Sequence, residues 1–155
     1  MKKDVITLVE SNKDIIQVKL MNVEKNSLFV ANIFEIISSE GVNIDMISQV
    51  MLEDEMRIDF TCSEKDQYLL NRALEKVKES HPRIMIYQMK NVAKLMVEGY
   101  GMKNEIGVAS LVFSILGKNQ FPLLQVTTSD TSISYVLEKK DVDKAVELIK
   151  KEFNL

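Results

Sequence analysis

The order strand, loop, helix, strand, strand, helix occurs twice in this chain, and the second occurrence is one strand short. The first copy closes with a further strand at 84–88, whereas the second stops after its last helix, at Leu155. A spare strand at 5–9 precedes the first copy. Lending it to the second copy gives each half four strands and two helices. The loan has a physical reason, because an open sheet edge leaves a row of backbone donors and acceptors unpaired. The halves then interlock along the chain and are not beads on a string.

Periodicity supports this order. Ile16, Val18 and Leu20 alternate with Gln17 and Lys19, as in a half-buried strand. Asn26 and Ser27 offer N-cap chemistry, Val30, Ile33, Phe34 and Ile37 follow at helical spacing, and Gly41 ends the helix. A β-branched and methionine-rich strand at 42–52 and an alternating one through Ile58, Phe60 and Cys62 come next. Ser63 and Asp66 read as a capping-box variant. Leu70, Ala73, Leu74 and Val77 form the second buried stripe, which ends at His81 before Pro82. The second copy repeats this with a strand at 92–98, a bend at 99–101 and a stripe of Val108, Leu111, Val112 and Ile115. Pro122 then opens a strand at 123–127, a polar break comes at 128–131, and Ile133, Tyr135 and Leu137 alternate. Asp141 caps a last helix with Val142, Ala145, Val146 and Ile149 facing inward. The repeat is one of pattern more than of letters. The expected fold class is α+β, two interleaved ferredoxin-like βαββαβ units. The first spans 14–91; the second spans 92–155 and takes the N-terminal strand within 1–13.

Composition narrows the function. Net charge is −3 with scattered lysines and arginines, which argues against nucleic acid as a partner. No apolar run is long enough to span a membrane, and the opening Met1-Lys2-Lys3-Asp4 does not read as a signal peptide. A single cysteine, Cys62, fits a reducing cytoplasm. One histidine and no cysteine cluster give no metal site, and no nucleophile–base pair stands out. No cofactor is expected.

Several segments resemble a known family. Residues 41–49, Gly-Val-Asn-Ile-Asp-Met-Ile-Ser-Gln, are similar to the glycine, Ile/Val-Asn-Val-Asp-Met segment in the first ACT domain of aspartokinases. Ala93 to Val97, Gly101-Met102 and Gly107-Val108-Ala109 resemble the start of the second ACT domain. Residues 128–134 resemble its Thr-Ser-Glu-Ile-Lys-Ile-Ser signature, and Asp143 to Val146 with Phe153 and Leu155 its closing helix. The resemblance implies a non-catalytic regulatory module that binds a small amino acid of the lysine or threonine class for allosteric feedback on aspartokinase. It also implies a homodimer through ACT domains and an aspartokinase catalytic chain as partner. The kinase portion has no counterpart here. The chain is then a free-standing module, a separate regulatory subunit or an excised fragment.

Two departures matter. Where the family's first helix-opening loop reads Asp-Arg-Pro-Gly, this chain has Lys25, Asn26, Ser27 and Leu28, so the glycine is lost. The second loop keeps Gly107, but the family's Asn in the next strand is Pro122.

A zwitterion needs donors for its carboxylate and acceptors for its ammonium. Backbone N–H groups at Gly107, Val108 and Ala109, at the opening of a helix, supply the first; alternatively Gly107 only permits a tight turn. Asn43 and Asp45, two apart on one strand face, supply the second; alternatively they are a solvated edge. Gln49 offers an amide. Thr128, Ser129 and Asp130 offer hydroxyls and a carboxylate, or simply make their own turn. The resemblance adds Ile44 and Met102. In the family the helix-opening loop of one domain lies against the second strand of its neighbour. The resemblance therefore implies one retained site, from Gly107 to Ala109 with Asn43 to Asp45, and one degraded site, from residues 25–28 with Pro122. A competing reading is an ACT-type dimerisation module with vestigial effector sites.

Overall fold

The computed structural model describes residues 4–155; the first three residues of the expected N-terminal segment lie outside these. Twelve strands and helices succeed one another among the described residues. β1 (Leu8–Asn12), β2 (Ile15–Val23), α1 (Ser27–Ser39), β3 (Asp45–Met51), β4 (Met56–Ser63), α2 (Gln67–Ser80) and β5 (Met85–Met89) precede the second copy. β6 (Val92–Glu98), α3 (Val108–Lys118), β7 (Gln125–Thr128), β8 (Ser132–Glu138) and α4 (Lys139–Glu152) complete it. They form two compact units, a central one at 14–90 and a split one made of 1–13 and 91–155.

The central unit holds a four-stranded antiparallel sheet in the order β3-β4-β2-β5. Ile16, Val18 and Leu20 of β2 and Ile58, Phe60 and Cys62 of β4 share its core face. Ile33 and Ile37 of α1 and Leu70, Ala73 and Val77 of α2 cover that face. Each fully buried aliphatic chain contributes about 1.5–3 kcal/mol. α1 ends where the sequence requires: Gly41 adopts φ +88°, the left-handed conformation that glycine tolerates without steric cost. α2 ends at Ser80, before Pro82. Cys62 is buried, and burial pushes its thiol up to about 11, so it is a core thiol and not a nucleophile at neutral pH.

The split unit repeats the arrangement in the order β1-β6-β8-β7, with β1 in the place that β5 takes in the central unit. Leu8 pairs with Glu98 and Asn12 with Lys94. The strand is displaced from its expected position at 5–9. Val5 and Ile6 leave the ladder and are buried against Gly99 and Gly101, where a Cβ added to Gly99 would fall 1.9 Å from the Val5 carbonyl oxygen. The core joins Leu95 and Val97 to Val112, Leu116, Ala145 and Ile149.

Three expected helix or strand starts differ. Ser63 forms no side-chain cap, because the 3-10 turn Glu64–Asp66 intervenes before α2. Asp141 does not cap α4, which opens two residues earlier behind Glu138; it lies instead in the first turn, where its charge favours the helix dipole. Pro122 and its two successors precede β7, which begins at Gln125; proline brings no ladder donor.

Candidate functional site

The two helix-opening loops are built differently. At α1, Asn26 is extended and its Oδ1 accepts from the backbone N–H of Leu28 at 2.9 Å and of Phe29 at 3.2 Å. The donors that an anion would use are therefore taken by the protein's own side chain. Leu28, in the place of the family's glycine, is 78% exposed. At α3, Gly107 has φ +92° and no side chain caps the helix. A Cβ at Gly107 would meet nothing within 4 Å, so the glycine is required by conformation and not by crowding. Val108 is buried and holds the turn against the core, while Gly107 and Ala109 are exposed. First-turn N–H groups have no intrahelical acceptor and sit at the positive end of the dipole. The α3 opening can thus receive a carboxylate, and the α1 opening cannot without displacing Asn26.

The remaining candidates of the split unit lie near one end of its sheet. Met102 sits in the 3-10 turn Tyr100–Lys103 and packs on the core. The Gly99 N–H donates to the Thr131 carbonyl at 2.9 Å, which joins this turn to the break at 128–131. Thr128 is exposed at the end of β7. Ser129 is occupied by its own turn: its Oγ is 2.9 Å from Ser132 Oγ and accepts from the Thr131 N–H at 3.3 Å.

Asn43, Ile44, Asp45 and Gln49 belong to the central unit. β3 starts at Asp45, so Asn43 precedes the strand and does not share a strand face with it. Ile44 packs on the core; Asn43, Asp45 and Gln49 are exposed. The Asp45 carbonyl accepts from Thr61 Oγ1 at 3.3 Å. Sequence periodicity missed a bulge in β3. Met46 has φ +51°, and the β3–β4 register shifts between Asp45 and Ser48, so one extra residue is inserted there. Asp45 stands opposite Thr61, on the face away from the core, while Gln49 stands opposite Ile58, on the core side. Four residues apart in an unbroken strand they would share a face; the bulge separates them. A positive φ at a methionine has no sequence signature.

Among the described residues, no helix is long and apolar enough to cross a membrane, and no group of three or more His, Cys, Asp or Glu is placed to hold a metal.

Comparison with known proteins bears on the fold and the family. Residues 95–153 match the model of the ACT domain family. The aspartokinase of Pseudomonas aeruginosa is 30% identical over 158 residues, an alignment covering 100% of this chain and 38% of that protein. The chain thus spans well under half of that relative's length. The ligand-free regulatory subunit of aspartate kinase from Thermus thermophilus superposes with a TM-score of 0.87 at 20% identity, covering 96% of this chain and 99% of that one. A structure of aspartokinase alpha and beta subunits superposes at 0.88 and 22% identity, covering 97% and 99%. The matched segment 95–153 is thus an ACT domain, and along its length the chain is similar to the regulatory portion of aspartokinases, with no kinase domain within these 155 residues.

Proposed function

We propose that this chain is an allosteric regulatory module that binds a small amino acid, of the lysine or threonine class, for feedback control of an aspartokinase. The observation that carries this reading is the contrast between the two helix openings. Only the one at Gly107 has a glycine in the left-handed region and no capping side chain. Its backbone donors would take the effector carboxylate, with Met102 and Thr128 beside it. The resemblance implies Asp45, with Asn43 and Ile44 in the central unit, as the partners of an effector ammonium. Gln49 and Ser129 are weaker members of the set, the first because of the bulge and the second because its turn already uses its hydroxyl. Assembly would be a homodimer through ACT domains, working with a catalytic aspartokinase chain; the similarity to the alpha and beta subunit structure supports a two-chain arrangement. Asn26 at the α1 opening favours the second reading for that copy alone, a site closed to ligand and kept for assembly.

Calorimetry with a panel of amino acids tests the proposal. One should bind with about −4 to −8 kcal/mol, the micromolar to millimolar range. Asp45→Ala should weaken that binding by about 1.5–3 kcal/mol, since a charged partner is lost. Leu28→Gly should leave it unchanged. Normal binding by Asp45→Ala, or a gain on Leu28→Gly, would move the site elsewhere.

A further inference from the structure

The central unit carries a cleft made by three connections far apart in sequence. β2 does not run straight to its end: Asn22 has φ +59°, and the register with β4 shifts between Leu20 and Val23. The turned Asn22 ties the three connections together. Its backbone N–H donates to the Glu55 carboxylate in the β3–β4 hairpin, and its Nδ2 donates to the Arg83 carbonyl at 2.9 Å in the α2–β5 connection. The cleft so framed holds about 480 Å³ and is lined by Glu24, Asp54 and Arg83, with Phe29 and His81 as an aromatic wall. That volume lies in the range of small-molecule sites.

The wall is fixed. The Phe29 and His81 rings lie 4.1 Å apart between centroids, and His81 Nε2 is 2.9 Å from Asn32 Oδ1. The charges are not. Among the described residues, the carboxylates of Glu24 and Asp54 and the guanidinium of Arg83 make no ion pair or hydrogen bond, although they line one cleft. Elsewhere in this unit comparable groups do pair, as Arg72 and Lys76 do with Glu40. Two acids and one base, none paired with another, line one cleft beside a fixed aromatic wall and are complementary to a molecule that carries the opposite charges. A carboxylate would take the planar guanidinium fork, and an ammonium would take Glu24 and Asp54.

We infer that this cleft binds a small zwitterion carrying one carboxylate and one ammonium group, its carbon skeleton against Phe29 and His81. The site lies wholly within the central unit. It shares no residue with the set at Gly107 and Asp45 and does not depend on it.

The test uses the full chain and its only histidine, whose ring C–H resonances report on the cleft without overlap. The standard amino acids are titrated one at a time, with acetate and methylamine as single-charge controls. At least one amino acid should shift the His81 resonances saturably, and neither control should. Arg83→Gln and Glu24→Gln should each raise the apparent Kd about tenfold. Both residues are exposed, so the fold should persist, which the remaining methyl spectrum checks. Asp45→Ala should leave the His81 titration unchanged. The inference is overturned if no amino acid gives a saturable shift, if acetate or methylamine reproduces it, or if both cleft variants bind like the wild type. It is overturned equally if Asp45→Ala abolishes the His81 shift. Calorimetric binding sensitive to Asp45 but silent at His81 would leave the regulatory reading standing and remove this one.

Discussion

Single residues decide which helix opening is available. Asn26 was legible as a cap because asparagine before an apolar periodic run has few other roles. That its Oδ1 takes two donors at once is a matter of its extended backbone, which only the folded loop displays. Asn26→Ala should cost about 1 kcal/mol of stability, read from chemical denaturation. The same change frees the N–H groups of Leu28 and Phe29, so any gain in amino-acid binding on Asn26→Ala would show that the cap is what closes this copy. Gly107→Ala should cost about 1 kcal/mol as well, from the left-handed backbone alone, because the space beside it is empty. Tyr135 is a different kind of residue. Its ring is fully buried, edge-on to Phe113 at 5.3 Å, yet its hydroxyl has no hydrogen-bond partner among the described residues. Burial therefore raises its pKa well above the ordinary phenol value. Tyr135→Phe should be neutral or should stabilise by about 1 kcal/mol in thermal unfolding, because an unpaired buried hydroxyl is removed. A loss of that size would reveal a partner.

At the scale of elements, burial stripes were the most legible feature. Leu70, Ala73, Leu74 and Val77 are all buried, as their spacing requires. Where the reading missed, backbone geometry outweighed pattern. β1 is shifted toward its polar end because Val5 and Ile6 leave the ladder to fill the space that Gly99 and Gly101 open. β3 carries a bulge that turns Gln49 away from Asp45. After Pro122 the strand begins only at Gln125, with Leu124 giving a single backbone bond to the Val136 carbonyl at 2.9 Å. The consequence of β1 can be measured. Deleting residues 1–10 removes Val5, Ile6 and Val9 from the core and exposes the β6 edge. At about 1.5–3 kcal/mol for each buried chain, the truncated protein should melt far lower and lose solubility. A truncated chain as stable as the intact one would mean that β1 contributes nothing.

At the scale of the whole molecule, the regulatory reading requires assembly. The central sheet leaves one face without helices, and Met85 and Tyr87 on β5 stand there 43% and 48% exposed, with Val50 on β3 also exposed. These side chains are candidates for the surface through which the proposed homodimer would assemble. Light scattering at ~100 μM should give a mass near twice 17.7 kDa, a concentration that detects even weak association; a monomer would count against assembly through this surface. The sequence by itself determined the element order, the α+β class, the missing last strand and the resemblance to aspartokinase regulatory regions. These arise from apolar periodicity and local turn chemistry, which act between near neighbours in the chain. The tertiary structure decided which helix opening keeps its donors and which face Asp45 takes. It alone brought Glu24, Asp54 and Arg83 around one cleft. Those outcomes depend on left-handed residues, a bulge and contacts between distant loops, and no local pattern of side chains encodes them.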